Sequence, residues 1–473
     1  MDMNDKRYNL LIITPDQMRA DYLGCYGNTK IGTKHIDGLA KEGVVFQNCY
    51  CAAPLCAPSR ISFATSTYFS EHNHRNYGST ISPKVPNIAM ALKNQGYRAG
   101  MFGKNHLFTY EDLDRVWDEL DEICLGNCDG HSKYEHSFSS FPMEIDEPYN
   151  ITKRLTDETI EFMEHAEEPF FAWVNYQDPH PVFACPPPYA TLFDPDEAPL
   201  PESFYEYDLD GEPVRNQVWR EHSEMELCSE ADMKKAIAMY MGQVRYVDDN
   251  VGRLMDSLKK TGKDKNTIIL FFSDHGELLG DHGMTHKIPV FYDSLTKIPT
   301  ILYHPDEEWE GRVFQGLVEE VDLAPTLLDL LNIQVPQTMI GKSLVTELRN
   351  GTDEGKENII CEAGIAAPTQ KEAIPNLKLK APFSPTSYGC GAMVRQGDWK
   401  LSIYADDRCQ LFHLGSDPSE INNLYGKEEY AKIQSDLTLI LLKRILSVKT
   451  RDIKTKEWDY EQYGIDVREA PLE

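Results

Sequence analysis

The chain has 473 residues, 41% of them hydrophobic, and a formal net charge of −29. That length exceeds the usual single core, so one large domain and a smaller one are expected, and the apolar content supports globular folding. The acidic balance argues against nucleic acid or an anionic membrane as partner, and no apolar run approaches the length of a bilayer span.

The N-terminal residues lead into Leu10-Leu11-Ile12-Ile13, too short for a signal-peptide core and with no small-residue cleavage site behind it, so a cytoplasmic location is expected. Eleven cysteines without a secretory signal read as mostly reduced thiols. Leu10 to Thr14 is a continuous apolar run, as expected of a strand buried on both faces, and it ends at Pro15 followed by Asp16-Gln17.

Next in the chain comes Cys56-Ala57-Pro58-Ser59-Arg60. Proline, with a fixed φ and no N–H to lose, is favoured in a first helical turn, which puts Cys56 at or just before a helix N-terminus. Unpaired N–H groups and the helix dipole favour negative charge there, and Arg60 adds a forked donor suited to sulfate or phosphate oxygens. A nucleophile for an anionic ester would sit at this position.

A weaker strand, Tyr97 to Phe102, runs into Gly103-Lys104-Asn105-His106. Cys124, Cys128, His131 and His136 superficially resemble a zinc site, but the Cys-to-His gap is far shorter than a finger requires. Phe170 to Val174 forms a third buried strand that runs into Asn175, Asp178 and His180. The stretch from Pro181 to Glu226, rich in Pro, Tyr, Asp and Glu, is read as irregular and as a solvated loop, with a pocket rim as the alternative.

Ser229-Glu230-Ala231-Asp232 resembles a capping box. It opens a helix with Met233, Ile237, Met241, Val244, Val251, Leu254 and Leu258 at helical spacing, closed by Gly262. That crossover helix feeds a fourth strand, Thr267 to Ser273, which ends at Asp274-His275-Gly276. The expected architecture is α/β with a largely parallel central sheet.

In open α/β sheets ligands gather beyond the carboxyl ends of the strands. Four strands delivering acid, amide, imidazole and ammonium groups to those ends read as one site. Asp16, Gln17, Asp274 and His275 are enough to hold one divalent cation with an open position. Oxygen donors point first to Ca²⁺, while Mg²⁺, Mn²⁺ and Zn²⁺ are the alternatives, the last two suited to the imidazole. Arg60, Lys104, His106, His180 and Lys287 supply cations and proton-transfer groups. The implied chemistry is displacement at a small tetrahedral anionic ester. Gly341-Lys342-Ser343 is not a P-loop, because Pro336 stands where the first glycine belongs, and no Gly-x-Ser-x-Gly elbow occurs.

These residues resemble the type I sulfatase family, within the alkaline phosphatase-like superfamily. Cys56 to Arg60 matches its Cys-x-Pro-x-Arg signature, at which the cysteine is oxidised to formylglycine. Gly96-Tyr97 through Gly103-Lys104-Asn105-His106 is similar to its second signature. Ser273 to Glu277, then Gly280-Asp281-His282-Gly283 and Lys287, resembles its metal-and-lysine segment, and Asp178-Pro179-His180-Pro181 its Asp-Pro-His loop. Asp322 to Leu327 with Gly341 to Leu344 is similar to the close of the large domain, and Arg395 to Lys400, Leu411 to Leu414 and Asp417 to Glu420 resemble the C-terminal domain.

The resemblance implies an alkaline phosphatase-like α/β domain over residues 1–355, with a mostly parallel, mixed central sheet flanked by helices. A smaller C-terminal α+β domain with an antiparallel sheet, and a tail, would fill 356–473. It implies a formylglycine-generating enzyme as maturing partner and a hydrated formylglycine at Cys56, itself a ligand of the cation. One hydroxyl would attack sulfur and expel the alcohol; His106 would help deprotonate the second, so that sulfate leaves and the aldehyde reforms. Arg60 and Lys104 would hold the diol, while Lys287 and His180 would grip sulfate and protonate the leaving oxygen.

The chain departs from the family pattern at Gln17, where many members have a second aspartate, and at His275, where many have asparagine. Asn105 replaces the usual tryptophan, and Ala64-Thr65-Ser66 replaces a frequent Leu-Thr-Gly. Gln17 and His275 also occur in relatives that hydrolyse phosphonate monoesters and phosphodiesters, and in some choline- and sugar-sulfate enzymes. The expectation is a sulfatase acting on a small ester such as a sulfated sugar or choline-type sulfate; the alternative is a phosphonate monoester or phosphodiester hydrolase with the same formylglycine.

Overall fold

A computed structural model describes residues 6–74, 78–123, 133, 135–143, 150–207, 211–364, 390–405 and 407–462, with side chains to 448. The continuous apolar run near the N-terminus forms strand β1 (Asn9–Asp16), and its alternation decides the layering. Leu10 and Ile12 point to one face, into a core shared with Ile61, Phe63 and Trp173. Leu11 and Ile13 point to the other, into a core with Met233, Ile237 and Val244 of the long helix Glu230–Thr261. Full burial of each such side chain contributes roughly 1.5–3 kcal/mol, and burial on both faces is why the run lacks polar alternation.

Seven further strands complete the large sheet: β2 (Val44–Tyr50), β3 (Arg98–Lys104), β4 (Glu119–Ile123), β5 (Phe170–Pro179), β6 (Thr267–Phe272), β7 (Thr300–Tyr303) and β8 (Arg312–Glu319). Their order is β4-β3-β5-β1-β6-β7-β2-β8. All neighbours are parallel except β7, which is antiparallel to both β6 and β2. A separate antiparallel sheet has the order β12-β11-β10-β9, from β9 (Ile359–Ala363), β10 (Gly391–Gln396), β11 (Trp399–Tyr404) and β12 (Gln410–His413). The C-terminal helix Ala431–Gln462 covers it through Leu437 and Leu441. The α/β architecture with a mixed, mostly parallel sheet and a second antiparallel sheet is as expected.

The long helix begins at Ser229, whose side chain accepts from Asp232 N in a capping box, and stops at Gly262 in the left-handed conformation (φ 73°). Two strands run further than their apolar content indicates. β1 continues to Asp16 through a register irregularity after Pro15, a residue with no N–H for the ladder, and β5 continues through Asn175 and Asp178 to Pro179. The polar residues expected just beyond these strands are therefore partly their last residues, held by the sheet itself.

The segment after Pro181 departs from expectation. It contains the helix Val214–His222 and is packed, not merely solvated. Arg215 is fully buried, pairs with Asp407 at 3.0 Å and lies over the Tyr404 ring, which ties this stretch to the second sheet. The charge pattern gave no hint of that partner, which lies almost two hundred positions along the chain. Cys124, Cys128 and His131 lie outside the described residues, as do 365–389 of the connecting segment and 463–473 of the tail; His136 bonds Glu224 at 3.0 Å.

Candidate active site

Local structure at the start of one helix positions Cys56. Leu55 is extended, the helix α2 spans Cys56–Thr65, and Cys56 is its first residue, so the thiol sits among unpaired N–H groups. Every residue of α2 is buried, so the N-terminus points into the protein beneath the carboxyl ends of β1, β3, β5 and β6. Glycine makes the tight packing of these ends possible: a Cβ on Gly276 would stand 1.9 Å from Ser294 O, and one on Gly103 (φ 115°) would stand 2.0 Å from Asn175 O.

Cys56 Sγ lies 3.2 Å from His275 Nε2, 3.5 Å from Asp16 Oδ1 and 3.8 Å from Lys104 Nζ. The ligand atoms of Asp16, Cys56, Asp274 and His275 all lie within 4.8 Å of one another, and all four residues are fully buried. His275 Nδ1 donates to Gly276 O at 2.8 Å, so Nε2 is the ring nitrogen that faces the cluster, the orientation a metal-ligating imidazole needs. Two carboxylates, this imidazole and the Cys56 side chain fit a divalent cation, since buried anions this close require one or an equivalent positive charge.

Five cationic or imidazole arms close around that cluster. Arg60 Nε donates to Asp274 Oδ2 at 2.9 Å and Nη2 to Asp16 Oδ2 at 3.4 Å, while Nη1 bonds Asn175 Oδ1. Lys104 Nζ pairs with Asp16 Oδ2 at 2.7 Å. Lys287 Nζ donates to Gln17 Oε1, and the Gln17 main-chain N–H donates to Asp274 Oδ1 at 3.1 Å. His180 Nδ1 donates to Pro181 O, which leaves its Nε2 unprotonated in the neutral ring. His106, at φ 43°, keeps a buried Nδ1 without a hydrogen-bond partner among the described residues.

The electrostatics follow from this arrangement. Burial opposes ionisation of Asp16, but Lys104, Lys287 and Arg60 outweigh it and hold its carboxyl well below the usual range. Burial and Asp16 push the Cys56 thiol up, yet Lys104, Lys287 and His275 prevail and its net shift is downward. Burial, then Lys104 and Arg60, depress His106; burial, then Lys287 and Lys104, depress His180, so both rings are neutral. Burial works against the charge on Lys104 and on Lys287, but Asp16 and Cys56 raise both ammonium groups above their usual range.

All ten residues singled out from the sequence thus meet in one buried place. Three participants were not among them. Asn175 orients Arg60, and its place just after the apolar part of β5 was the available signal. Glu277 accepts from Gln17 Nε2 and follows the Asp-His-Gly run. Glu320, bonded to Ser59 Oγ at 2.6 Å beneath α2, had no sequence signal, because nothing near it in the chain is part of the site.

The family profile described as Sulfatase matches residues 8–333. The chain is 28% identical to the N-acetylglucosamine-6-O-sulfatase of Bacteroides thetaiotaomicron, over 96% of this chain and 88% of that protein. It is 25% identical to the choline-sulfatase of Rhizobium meliloti, over 99% of this chain and 90% of that one. The fold is similar to that of the phosphonate monoester hydrolase of Agrobacterium radiobacter, with a TM-score of 0.76 at 24% identity, covering 94% of this chain and 96% of that one.

Proposed function

Because the chain belongs to the sulfatase family, we propose that it hydrolyses a small sulfate ester, a sulfated sugar or a choline-type sulfate, through formylglycine formed from Cys56. The observation that carries this reading is the placement of Cys56 Sγ at a buried helix N-terminus, within 3.8 Å of His275, Asp16 and Lys104. In the mature enzyme that sulfur marks the position of an oxygen of the hydrated aldehyde. The sugar and choline sulfatases similar to this chain support the substrate class.

Asp16, Gln17, Asp274, His275 and the Cys56 position would hold one divalent cation, Ca²⁺ first by its oxygen donors, with Mn²⁺, Mg²⁺ or Zn²⁺ as alternatives. Such an ion neutralises substrate charge and polarises the attacking oxygen. Arg60 aligns Asp16 and Asp274, and with Lys104 steadies the nucleophile. Neutral His106 has a nitrogen free to take a proton from the hydrated aldehyde, so that sulfate can leave by C–O cleavage in place of a second attack at sulfur. Lys287 remains charged and has a proton to offer the leaving oxygen. His180 begins neutral, so it shares that role only after gaining a proton as the anionic substrate enters.

A second reading, hydrolysis of phosphonate monoesters or phosphodiesters by the same groups, is favoured by Gln17 and His275. The test is kcat/KM on an aryl sulfate and the matching aryl phosphonate monoester, after coexpression with a formylglycine-generating enzyme and mass confirmation of the Cys56 aldehyde. Preference for the sulfate is expected. Preference for the phosphonate would replace the first reading by the second.

A further inference from the structure

We propose that Glu277 is a positioning residue that fixes the flip of the Gln17 side-chain amide, so that its oxygen and not its nitrogen faces the cation site. The inference rests on the reading of Gln17 as a cation ligand given above. An aspartate at position 17 would present oxygen in either orientation. A glutamine can present a donor instead, and a donor facing a cation repels it, so something must choose.

The neighbours of Gln17 make that choice from both sides. A carboxylate can only accept, and Glu277 Oε2 receives the amide Nε2 of Gln17. An ammonium can only donate, and Lys287 Nζ bonds Oε1 on the opposite side. The carboxylate is itself oriented, because its other oxygen, Oε1, accepts from the main-chain N–H groups of Leu279, at 3.0 Å, and of His286. The backbone of Gln17 is equally constrained. It lies at φ 66°, a conformation uncommon for a side-chain-bearing residue. It is held by its N–H on Asp274 Oδ1 at 3.1 Å and by its carbonyl accepting from Tyr240 OH at 2.8 Å. Glu277 is fully buried, and its side-chain hydrogen bonds among the described residues run to Gln17, Leu279 and His286, so it acts on the site through Gln17.

This arrangement predicts an unusual consequence of an isosteric change. In Glu277→Gln, the N–H groups of Leu279 and His286 still demand the oxygen on their side. The new Nε2 must then face Gln17, whose amide has to turn its oxygen back to meet it and its NH2 toward Lys287 and the cation. Adding Gln17→Glu supplies an acceptor on both sides and restores an oxygen to the site.

The experiment measures Mn²⁺ affinity of the full chain, from loss of the free-ion paramagnetic resonance signal on titration, for the wild type, Glu277→Gln, the Gln17→Glu/Glu277→Gln double variant and Asp274→Asn. Glu277→Gln is expected to bind roughly 10–100-fold more weakly, the usual range for loss of a ligand-orienting group, and the double variant to recover most of that loss. Wild-type affinity in Glu277→Gln, or no recovery in the double variant, overturns the proposal; recovery also shows that a chain carrying Glu277→Gln still folds. Weakened binding in Asp274→Asn keeps the cation site standing whatever Glu277 does. Unchanged binding there removes the site reading itself, and this inference with it.

Discussion

Arg60 Nε donates to Asp274 Oδ2 at 2.9 Å, with both side chains shut away from solvent. This bond joins the first turns of α2 to a residue two positions beyond β6, so one guanidinium sets the spacing between the start of that helix and Asp274. A lysine offers a point charge and cannot span Asp274, Asp16 and Asn175 together. Arg60→Lys is therefore expected to lower kcat/KM by at least about 100-fold, and to cost about 3 kcal/mol of stability by leaving buried carboxylates underpaired. Steady-state kinetics and urea unfolding check this. Activity within a few-fold of wild type would show that the fork is dispensable.

Cys56→Ala should abolish turnover while leaving the fold intact, because the thiol is small, its neighbours Lys104 and Asp16 keep each other as partners at 2.7 Å, and alanine fits the first helical turn. Turnover and thermal melting measured on the same preparation decide this. Residual activity above the vector control would remove Cys56 from the mechanism.

Asp274→Asn keeps the shape but removes one of the two carboxylates in the cluster. Metal content after dialysis, by elemental analysis, should fall below half that of the wild type, and chelation of the wild type should abolish activity until the ion is returned. Equal metal content in the variant would take Asp274 out of the ligand set.

Asp248, on the long helix Glu230–Thr261, predicts a pH dependence of stability. Its buried carboxylate accepts from the N–H groups of His35 and Ile36 at the start of α1 (Lys34–Glu42), and burial pushes its pKa up to about 7. The folded state therefore binds this proton more tightly than the unfolded chain does. The contribution is fully present below the unfolded value of 3.8 and is lost as pH rises through about 7. Between pH 5 and pH 8 the wild type should lose roughly 3 kcal/mol through this group, at about 1.4 kcal/mol per unit. Asp248→Asn, which still offers an oxygen to α1, should lose about that much less over the same range. Parallel urea-unfolding stabilities for the two proteins across this range would contradict it.

Much of the site was legible before any fold was known. A strand buried on both faces has to be a continuous apolar run, so the polar residues that end the run mark the carboxyl edge of a sheet. That reasoning located Asp16, Lys104, His180 and Asp274, and the rigidity of Pro58 located Cys56 at a helix start. Less legible were the short antiparallel β7, four residues inserted between β6 and β2, and the packing after Pro181. Neither has a local cause: β7 depends on which strands flank it, and Arg215 on a carboxylate at position 407.

The sequence by itself determined the elements and the inventory of chemical groups, because helix starts, buried strands and their polar ends are set by residues within a turn or two of one another. Only the tertiary structure decided which oxygen or nitrogen each group presents. Glu277 facing Gln17, Asn175 under Arg60 and Glu320 beneath Ser59 are contacts between segments 115 to 261 positions apart. A hydrogen bond is directional over about 3 Å, so its partner is chosen by how the strands are ordered and not by the residues next in the chain.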